Sequence, residues 1–330
     1  MNPTKNLSVL VVGFGSIGNR HTQNLLAIGI DKITVLRRKT HNVAFSTPEP
    51  CRVVHDLSAA IKSAPDLAII CTPSSQHVSA ATQLIAAGIP VLIEKPLHWQ
   101  VDDDVRELVN LSQNSDAGRR SAMAYCMRYH NAYFTAATEL ADGRIGRCLY
   151  AKAWFEGYLP DWHPWEDHRQ TYAARLDQAG GALRTLDHEI DFLNWTLGPA
   201  VESLGVRNNL GAIGIEADEV AHVISRHDEN VSSQLTLAFC RKPASRGFEF
   251  IGTGGILRFD HVGNQLSHQH PSGKVDVLVT CDANDISEMY VALLNDFLAQ
   301  SGVEAERPKR LPSIGAGVDC LRVIDSIGAS

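Results

Sequence analysis

The sequence predicts an α/β protein with a doubly wound parallel sheet in residues 1–124 and an α+β domain in residues 125–330, whose large open sheet is mostly antiparallel. In the first part, short apolar segments alternate with helix patterns, which is typical of a parallel sheet covered by helices on both faces. A glycine-rich turn joins the first apolar segment to the first helix pattern, and longer strand patterns begin after Arg147. A chain of 330 residues is long enough for two such domains.

The first domain is predicted to contain buried strands separated by helices. The predicted strands are Val9–Val12, Ile33–Leu36, Leu67–Cys71, Val91–Ile93 and Ser121–Met127. The predicted helices are Ser16–Ala27, a short helix capped by Asp56 and ending at Lys62, Ser74–Ala87 and Asp102–Gln113. Because these strands carry almost no polar positions, we expect them to be buried on both faces of the sheet.

The second domain shows the alternating pattern of strands with one covered face. In Val231–Cys240, the side chains of Leu235, Leu237 and Phe239 point to one side and the residues between them to the other. Further predicted strands are Phe248–Ile251, Ile256–Phe259 and Val275–Thr280. Helices are also predicted over His130–Ala141, Ile286–Ala299 and Ile314–Ile327.

Net charge, the length of apolar runs and the spacing of cysteines disfavour several classes of protein. A net charge of −7 without a basic stripe disfavours nucleic-acid binding. No apolar run reaches the roughly 18 residues that a membrane span needs, and Val9–Val12 is too short for a signal-peptide core. Seven widely spaced cysteines, none with Cys-x-x-Cys spacing, favour a reducing compartment over a disulfide framework or a zinc site. We therefore expect a cytoplasmic protein with neither a nucleic-acid nor a membrane partner.

The run Gly13-Phe14-Gly15-Ser16-Ile17-Gly18 follows a predicted buried strand and opens a predicted helix. In this context Gly13 permits a tight turn, Gly15 lets the backbone approach a pyrophosphate, and Gly18 lets helix and strand pack closely. The pyrophosphate would lie at the helix N-terminus, beside Ser16 and Ile17, where N–H groups and the helix dipole favour an anion. The motif predicts a dinucleotide-binding Rossmann domain. The alternative is a glycine-rich turn without a ligand.

The end of the second strand bears on the choice of cofactor. NAD-binding domains often place an acidic residue there for the ribose hydroxyl, but this chain has Arg37 and Arg38. Arginine suits a 2′-phosphate because it donates bidentate, charge-assisted hydrogen bonds. The sequence therefore favours NADP over NAD, with a solvated basic loop as the alternative.

Two other strand ends carry residues that could meet the cofactor. Lys95 follows the fourth predicted strand, and ligands of doubly wound sheets bind beyond the carboxyl ends of strands. A lysine near the nicotinamide can take the hydroxyl proton as hydride leaves, and can return it to a carbonyl. After the third predicted strand, Thr72 and Pro73 are expected to line the cofactor, although Ser74 could equally mark an ordinary helix start.

The second domain offers a helix that carries a histidine. Its apolar seam consists of Leu183, Leu186, Ile190, Leu193 and Leu197. Another face presents Arg184, His188 and Asp191, with Thr185 beside them. His188 could bind a substrate hydroxyl or share a proton with Lys95, although a single histidine is more often structural.

A dense aromatic and polar segment, residues 154–175, precedes this helix. Trp and Tyr faces stack on sugar rings, and polar neighbours supply hydrogen bonds. Substrate contacts are expected from Tyr158, Trp162, Trp165, Arg169, Tyr172 and Arg175. A metal cluster of His163, Asp167 and His168 is disfavoured because the spacing implies no open ligand geometry, and no metal site is predicted.

These motifs together resemble the Gfo/Idh/MocA family of NAD(P)-dependent sugar oxidoreductases. The resemblance covers nearly the whole chain and rests on Gly13–Gly18, Cys71–His77, Glu94-Lys95-Pro96, Met127-Arg128-Tyr129, Gly143–Gly146, Gly180-Gly181 and His188–Asp191. It implies that Lys95 is the acid/base and that His188 is a substrate ligand or proton partner. It also implies a sugar or nucleotide-linked sugar as substrate, and a homodimer or homotetramer. The cofactor contacts that it implies come from Cys71, His77, Glu94, Pro96 and Arg128.

The sequence departs from the family pattern in three places. Ala179 stands where the family often has the first of three glycines, and Arg184 and Thr185 stand where many members carry an aspartate before the histidine. The acidic ribose ligand is the third absence. We therefore assign only Lys95 and His188 to the reaction.

Two other functions stay open at this point. One is an enzyme that retains its cofactor and uses transient oxidation for epimerisation or elimination. The other is a non-catalytic NADP-binding sensor, against which Lys95 and His188 argue because a sensor needs no acid/base pair.

Overall fold

The computed structural model describes residues 6–39, 45–282, 285–300, 308 and 310–328. These residues form two compact units, one within Met1–Cys126 and Ser287–Gly317, the other within Met127–Ile286 and Val318–Ser330. The first unit ends near the predicted boundary at residue 124, but the sequence division assigned the whole later chain to the second domain.

The segment that returns to the first unit completes its packing. The ring of Tyr290 lies 6.0 Å from that of His21 between centroids, and the Met123 N–H donates to the Pro312 carbonyl over 3.1 Å. Such contacts between residues far apart in the chain leave no local pattern in the sequence, which explains why this return was not predicted.

The first unit contains a six-stranded parallel sheet. Its strands are β1 (Val9–Val12), β2 (Ile33–Leu36), β3 (Arg52–Val54), β4 (Leu67–Ile70), β5 (Val91–Ile93) and β6 (Ala122–Met123). The helices that alternate with them are α1 (Ser16–Ala27), α2 (Leu57–Lys62), α3 (His77–Ala86), α4 (Asp103–Asn114) and α5 (Asp116–Arg120). The strand order is β3-β2-β1-β4-β5-β6, so its direction reverses between β1 and β4. Open α/β sheets bind ligands beyond the carboxyl ends of the strands at such a point.

Three local features differ from the prediction. β3 was missed because it is an exposed edge strand without an apolar pattern. The strand predicted over Ser121–Met127 is confined to β6, because Cys126–Tyr129 forms a 3₁₀ turn. The helix predicted from Ser74 begins as a 3₁₀ turn over Ser74–Gln76 and becomes α-helical at His77.

The second unit is built on an eight-stranded sheet in the order β14-β13-β12-β11-β7-β10-β9-β8. Its strands are β7 (Cys148–Tyr158), β8 (Glu202–Asn208), β9 (Val220–Arg226), β10 (Ser232–Ala238), β11 (Cys240–Gly252), β12 (Gly255–Asp260), β13 (Gln265–Gln269) and β14 (Val275–Thr280). The α-helices that the structure describes after β6 are α6 (Asn131–Ala141), α7 (Ala182–Thr185), α8 (His188–Leu197), α9 (Asp285–Gln300) and α10 (Ile314–Ser326). Strands β7 and β10 pair in parallel, and the other described pairs are antiparallel, which confirms a mostly antiparallel sheet.

One face of this sheet is covered by α6 and α8 through aromatic packing. The ring of Tyr133 lies 4.6 Å from Phe192 and 5.0 Å from Phe248, and Phe192 lies 4.7 Å from Phe248. All three side chains are buried. The alternation of buried and exposed residues along β9 and β10 confirms the prediction of a single covered face. Among the residues described, no helix is long and apolar enough to cross a membrane.

Candidate active site

The glycine-rich turn after β1 has the geometry that its sequence predicts. Gly13 has a φ of +94°, and a Cβ there would lie 2.8 Å from the backbone of Cys71 and Thr72, so the position admits only glycine. A Cβ on Gly18 would overlap the carbonyl oxygen of Gly13. Because glycine has no Cβ, α1 can pack closely against the turn. The turn is therefore fixed by β1, α1 and the loop after β4.

The start of α1 is open in the way that a dinucleotide requires. The N-cap residue is Gly15, which has no side chain that could cap the helix. No other group lies within 4 Å of the position that a Cβ would take there. The first N–H groups of a helix lack partners within the helix, so the amides from Ser16 and Ile17 onward suit a pyrophosphate. Nearby, Thr72 Oγ1 is buried and has no hydrogen-bond partner among the described residues. These features fit a bound dinucleotide.

The two arginines after β2 differ in their surroundings. Arg37 Nη1 donates to the carbonyl of Phe45 and to Thr47 Oγ1, each over 3.1 Å, and its guanidinium lies 5.3 Å from the centre of the Phe14 ring. Arg38 is exposed. Arg37 is thus anchored in the loop, whereas the Arg38 side chain extends into solvent at the same edge of the sheet.

A buried carboxylate stands directly before Lys95. Glu94 Oε1 lies 2.7 Å from His21 Nε2, and both side chains are buried. The other carboxylate oxygen, Oε2, accepts a hydrogen bond from the Lys95 backbone N–H over 3.3 Å. Lys95 itself is half-buried at the carboxyl end of β5, and its peptide bond to Pro96 is cis. The residue proposed as acid/base is therefore attached to the core through Glu94.

His77 connects the two strand ends predicted to line the cofactor. Its Nδ1 lies 2.9 Å from the Pro96 carbonyl oxygen and its Nε2 lies 2.7 Å from the Thr72 carbonyl oxygen. Burial lowers the pKa of His77, and the two carbonyl contacts act in the opposite direction. The buried ring therefore lies between the loops after β4 and β5 and contacts a backbone carbonyl oxygen of each.

In the second unit, Gly180 and Gly181 let the chain pass close to its neighbours. A Cβ on Gly180 would overlap the Tyr172 carbonyl oxygen, and one on Gly181, where φ is +109°, would overlap the Asp218 carboxylate. Asp218 Oδ2 accepts a hydrogen bond from Leu183 N–H over 3.0 Å and so holds the start of α7. The neighbouring Ala179 adopts φ +59° without being glycine.

The helix predicted over residues 182–197 is interrupted, which corrects the sequence analysis. It consists of α7 and α8, separated at Leu186 and Asp187, and His188 is the first residue of α8 and is half-buried. Thr185 ends α7 and is 2 % exposed. The predicted polar face is also wrong for Asp191, which is 1 % exposed. Most of α8 is buried, and its acidic side chains Glu189 and Asp191 have partners inside the unit.

The partner of Asp191 is Arg128. Arg128 Nε and Nη2 donate to the two carboxylate oxygens of Asp191 over 2.8 and 2.6 Å, and the guanidinium lies 5.0 Å from the Trp195 ring centre. Both charged side chains are buried. Arg128 was expected to contact the cofactor, and its Nε and Nη2 are engaged with Asp191.

A second ion pair, between the partly buried Arg246 and the buried Glu189, was not anticipated. Arg246 Nε donates to Glu189 Oε1 over 2.6 Å, and Tyr133 Oη donates to the same oxygen over 3.3 Å. Glu189 lies one position after His188, so the ion pair between Arg246 and Glu189 anchors the first turn of α8. The acidic residues that surround His188 in the sequence were the only signal of this arrangement.

The predicted sugar-binding segment is partly engaged in its own contacts. The Trp162 ring stacks on Phe155 at 6.0 Å, Lys242 Nζ lies 4.3 Å from the Tyr158 ring centre, and Trp165 is 73 % exposed. Two other predicted contacts form ion pairs: Arg169 pairs with Asp167, and Arg175 pairs with Asp177. Tyr172, the last predicted contact, is exposed. The Arg169 guanidinium lowers the pKa of Asp167 to about 2.

Two family models match the chain. One is described as "Oxidoreductase family, NAD-binding Rossmann fold" and matches residues 7–117, and the other is the GFO/IDH/MocA C-terminal domain, which matches residues 133–258. This chain belongs to the Gfo/Idh/MocA family. Its first unit is accordingly an NAD-binding Rossmann domain, as the glycine turn predicted.

Relatives within the family act on sugars and related polyols, by their names. The chain is 31% identical to a 1,5-anhydro-D-fructose reductase of Ensifer adhaerens over 217 residues, which cover 64% of this chain and 60% of that protein. It is 24% identical to an inositol 2-dehydrogenase of Rhodococcus erythropolis, over 71% of this chain and 66% of that protein. The matches thus span less than two thirds of each relative. A structure of levoglucosan dehydrogenase in complex with NADH matches 97% of this chain and 95% of that one, with a TM-score of 0.80 and 17% sequence identity. This likeness shows that the two proteins share a fold.

Proposed function

We propose that this Gfo/Idh/MocA member transfers a hydride between a nicotinamide cofactor and a hydroxyl- or keto-bearing carbon of a sugar or nucleotide-linked sugar. The observation that carries the proposal is the first unit itself: an open helix N-terminus at Gly15 and a half-buried Lys95 at the end of β5. The names of the relatives agree with this class of reaction.

The cofactor contacts follow from the strand ends. The amides from Ser16 and Ile17 onward, at the start of α1, would hold the pyrophosphate, and Thr72 Oγ1, which has no partner among the described residues, would donate to the cofactor. Further proposed contacts come from Cys71, Pro73, His77, Glu94, Pro96 and Arg128. When bound, the nicotinamide dinucleotide supplies or accepts the hydride.

Lys95 is the residue that we assign to proton transfer. In oxidation its Nζ takes the proton of the reacting hydroxyl, and in reduction it returns a proton to the carbonyl oxygen. The backbone N–H of Lys95 donates to the Glu94 carboxylate, and His21 contacts the other oxygen of that carboxylate. These contacts fix the backbone position from which the Lys95 side chain extends. Glu94 and His21 are therefore positioning residues.

The second unit would supply the substrate contacts. His188 and Thr185 are proposed to bind the substrate hydroxyls, with His188 also able to share the proton that Lys95 handles. The exposed faces of Trp165 and Tyr172 offer stacking surfaces for a sugar, and Tyr158, Trp162, Arg169 and Arg175 are the other proposed contacts. A homodimer or homotetramer and a cytoplasmic location remain part of the proposal.

NADP is the cofactor that we favour over NAD. No acidic residue stands at the end of β2, and Arg38 is exposed there, so its guanidinium is available for a 2′-phosphate. Arg37 is anchored to Phe45 and Thr47 and would present its planar face beside Phe14.

The test is a fluorescence titration with NADPH and NADH, followed by turnover on sugars, polyols and nucleotide-linked sugars. Tighter binding of NADPH and turnover of at least one sugar class would support the proposal. Binding of neither nucleotide would refute it. Reduced cofactor that stays with the purified protein and turns over without added nucleotide would instead favour epimerisation or elimination.

A further inference from the structure

Two histidines and an aspartate meet on one face of the β13–β14 hairpin. His268 and His270 are two positions apart on one chain segment, so their side chains point to the same side, and Asp276 is the register partner of His268 on β14. One ligand atom from each of the three residues lies within 4.8 Å of the others. The hairpin is at the edge of the eight-stranded sheet.

His268 has the hydrogen-bond pattern of a metal ligand. It is 3 % exposed, and its Nε2 lies 3.3 Å from the carbonyl oxygen of Gly254. Since a carbonyl only accepts, this contact places the ring proton on Nε2 and leaves a lone pair on Nδ1. In the described part of the chain Nδ1 is buried and has no hydrogen-bond partner.

The position of His268 is fixed by its neighbours. A Cβ on Gly255 would lie 2.6 Å from His268 Nε2, so this glycine makes room for the ring. The rings of His268 and His270 are 4.1 Å apart between centroids. A buried nitrogen lone pair without a donor is costly, and a metal ion would satisfy it.

The other two side chains already meet and carry the required charge. His270 Nε2 lies 2.7 Å from Asp276 Oδ2, and Lys274 Nζ lies 2.9 Å from Asp276 Oδ1. Asp276 supplies the negative charge, since an ordinary aspartate is ionised at neutral pH. Both His270 and Asp276 are partly exposed, which gives an ion a route from solvent.

We propose that His268 Nδ1, His270 and Asp276 bind a divalent transition metal ion of the Zn²⁺ class. Two imidazoles and one carboxylate are a donor set that suits Zn²⁺, and three protein ligands leave one position for water. Because the ligands come from both strands, the bound ion would link β13 to β14. This site lies within the second unit and does not depend on the proposed hydride transfer.

The experiment uses tag-free full-length protein stripped of metal with a chelator. Isothermal titration with ZnCl₂ is expected to give one ion per chain with a Kd in the micromolar range or below, and Zn²⁺ should raise the melting temperature. Co²⁺ should give visible absorption bands of a low-coordinate site. The variants His270→Ala and Asp276→Asn, at partly exposed positions, are each expected to weaken Zn²⁺ binding by roughly tenfold to 100-fold.

Two further variants separate a built site from surface histidine binding. His222→Ala removes an exposed histidine on β9 and should leave Zn²⁺ affinity unchanged. Lys274→Gln removes a competing cation from Asp276 and should raise affinity by roughly two- to tenfold. The proposal is overturned if wild-type protein takes up no stoichiometric Zn²⁺, or if binding survives both His270→Ala and Asp276→Asn.

Discussion

The carboxylate of Glu94 lies 2.7 Å from Nε2 of His21, and both side chains are buried behind the end of β5. The second oxygen of the same carboxylate accepts the backbone N–H of Lys95. One buried acid therefore connects the first helix of the Rossmann unit to the proposed acid/base.

Glu94→Gln should lower kcat by roughly tenfold and change the KM for the sugar little, because the amide keeps the side-chain volume but weakens two charge-assisted hydrogen bonds. Steady-state kinetics would measure the split between kcat and KM. A purely structural role would lower the melting temperature while leaving kcat per folded molecule unchanged, and that result would refute the positioning role.

The ion pair between Arg128 and Asp191 should be sensitive to the loss of one partner. Asp191→Asn is expected to lower the free energy of unfolding by about 3–5 kcal/mol, because it removes the negative charge that accepts both bonds from the buried Arg128 guanidinium. The double variant Arg128→Met with Asp191→Leu should recover much of that loss. Urea denaturation of the single and double variants gives the comparison; a double variant as unstable as the sum of both singles would contradict the explanation.

Ala64 offers a test of backbone strain. It is exposed, follows α2, and has a φ of +50°, a conformation that glycine adopts without cost. Ala64→Gly should raise the free energy of unfolding by up to about 1 kcal/mol. The matched control is Ala59→Gly in the interior of α2, which should lower stability by about 0.5–1 kcal/mol. Equal effects of the two substitutions would argue against strain at Ala64.

Arg38 should determine the preference between the two nucleotides. Arg38→Ser is expected to raise the Kd for NADPH by roughly tenfold, since it removes a bidentate partner of the 2′-phosphate, and to leave the Kd for NADH nearly unchanged. Arg119→Ser, at an exposed position on α5, is the control. Parallel changes for NADPH and NADH in the Arg38 variant would remove the argument for NADP.

Much of the first unit was predictable because its signals are local. The run Gly13–Gly18 sits between a wholly apolar strand and a helix, and the structure displays a steric reason for Gly13 and for Gly18, while Gly15 leaves the start of the helix open. By contrast, β3 carries no apolar pattern, and the return of Tyr290 to the side of His21 depends on packing between distant parts of the chain. Neither feature produces a recognisable pattern in the local sequence.

The second unit shows where periodicity misleads. Spacing placed Asp191 with His188 on a polar face, but Asp191 is buried because the Arg128 guanidinium pairs with both of its carboxylate oxygens. The same limit applies to His268 and Asp276, which become neighbours only through the register of the hairpin. Pairings of this kind require the fold before they can be found.

The most direct test of the central claim is the turnover of Lys95→Met, measured beside Lys62→Met, which changes an exposed lysine at the end of α2. Our account predicts that Lys95→Met binds the nicotinamide cofactor as wild type does but loses at least about 100-fold in kcat. Lys62→Met should retain full activity. Wild-type turnover by Lys95→Met on a substrate that the native protein oxidises or reduces would contradict the account.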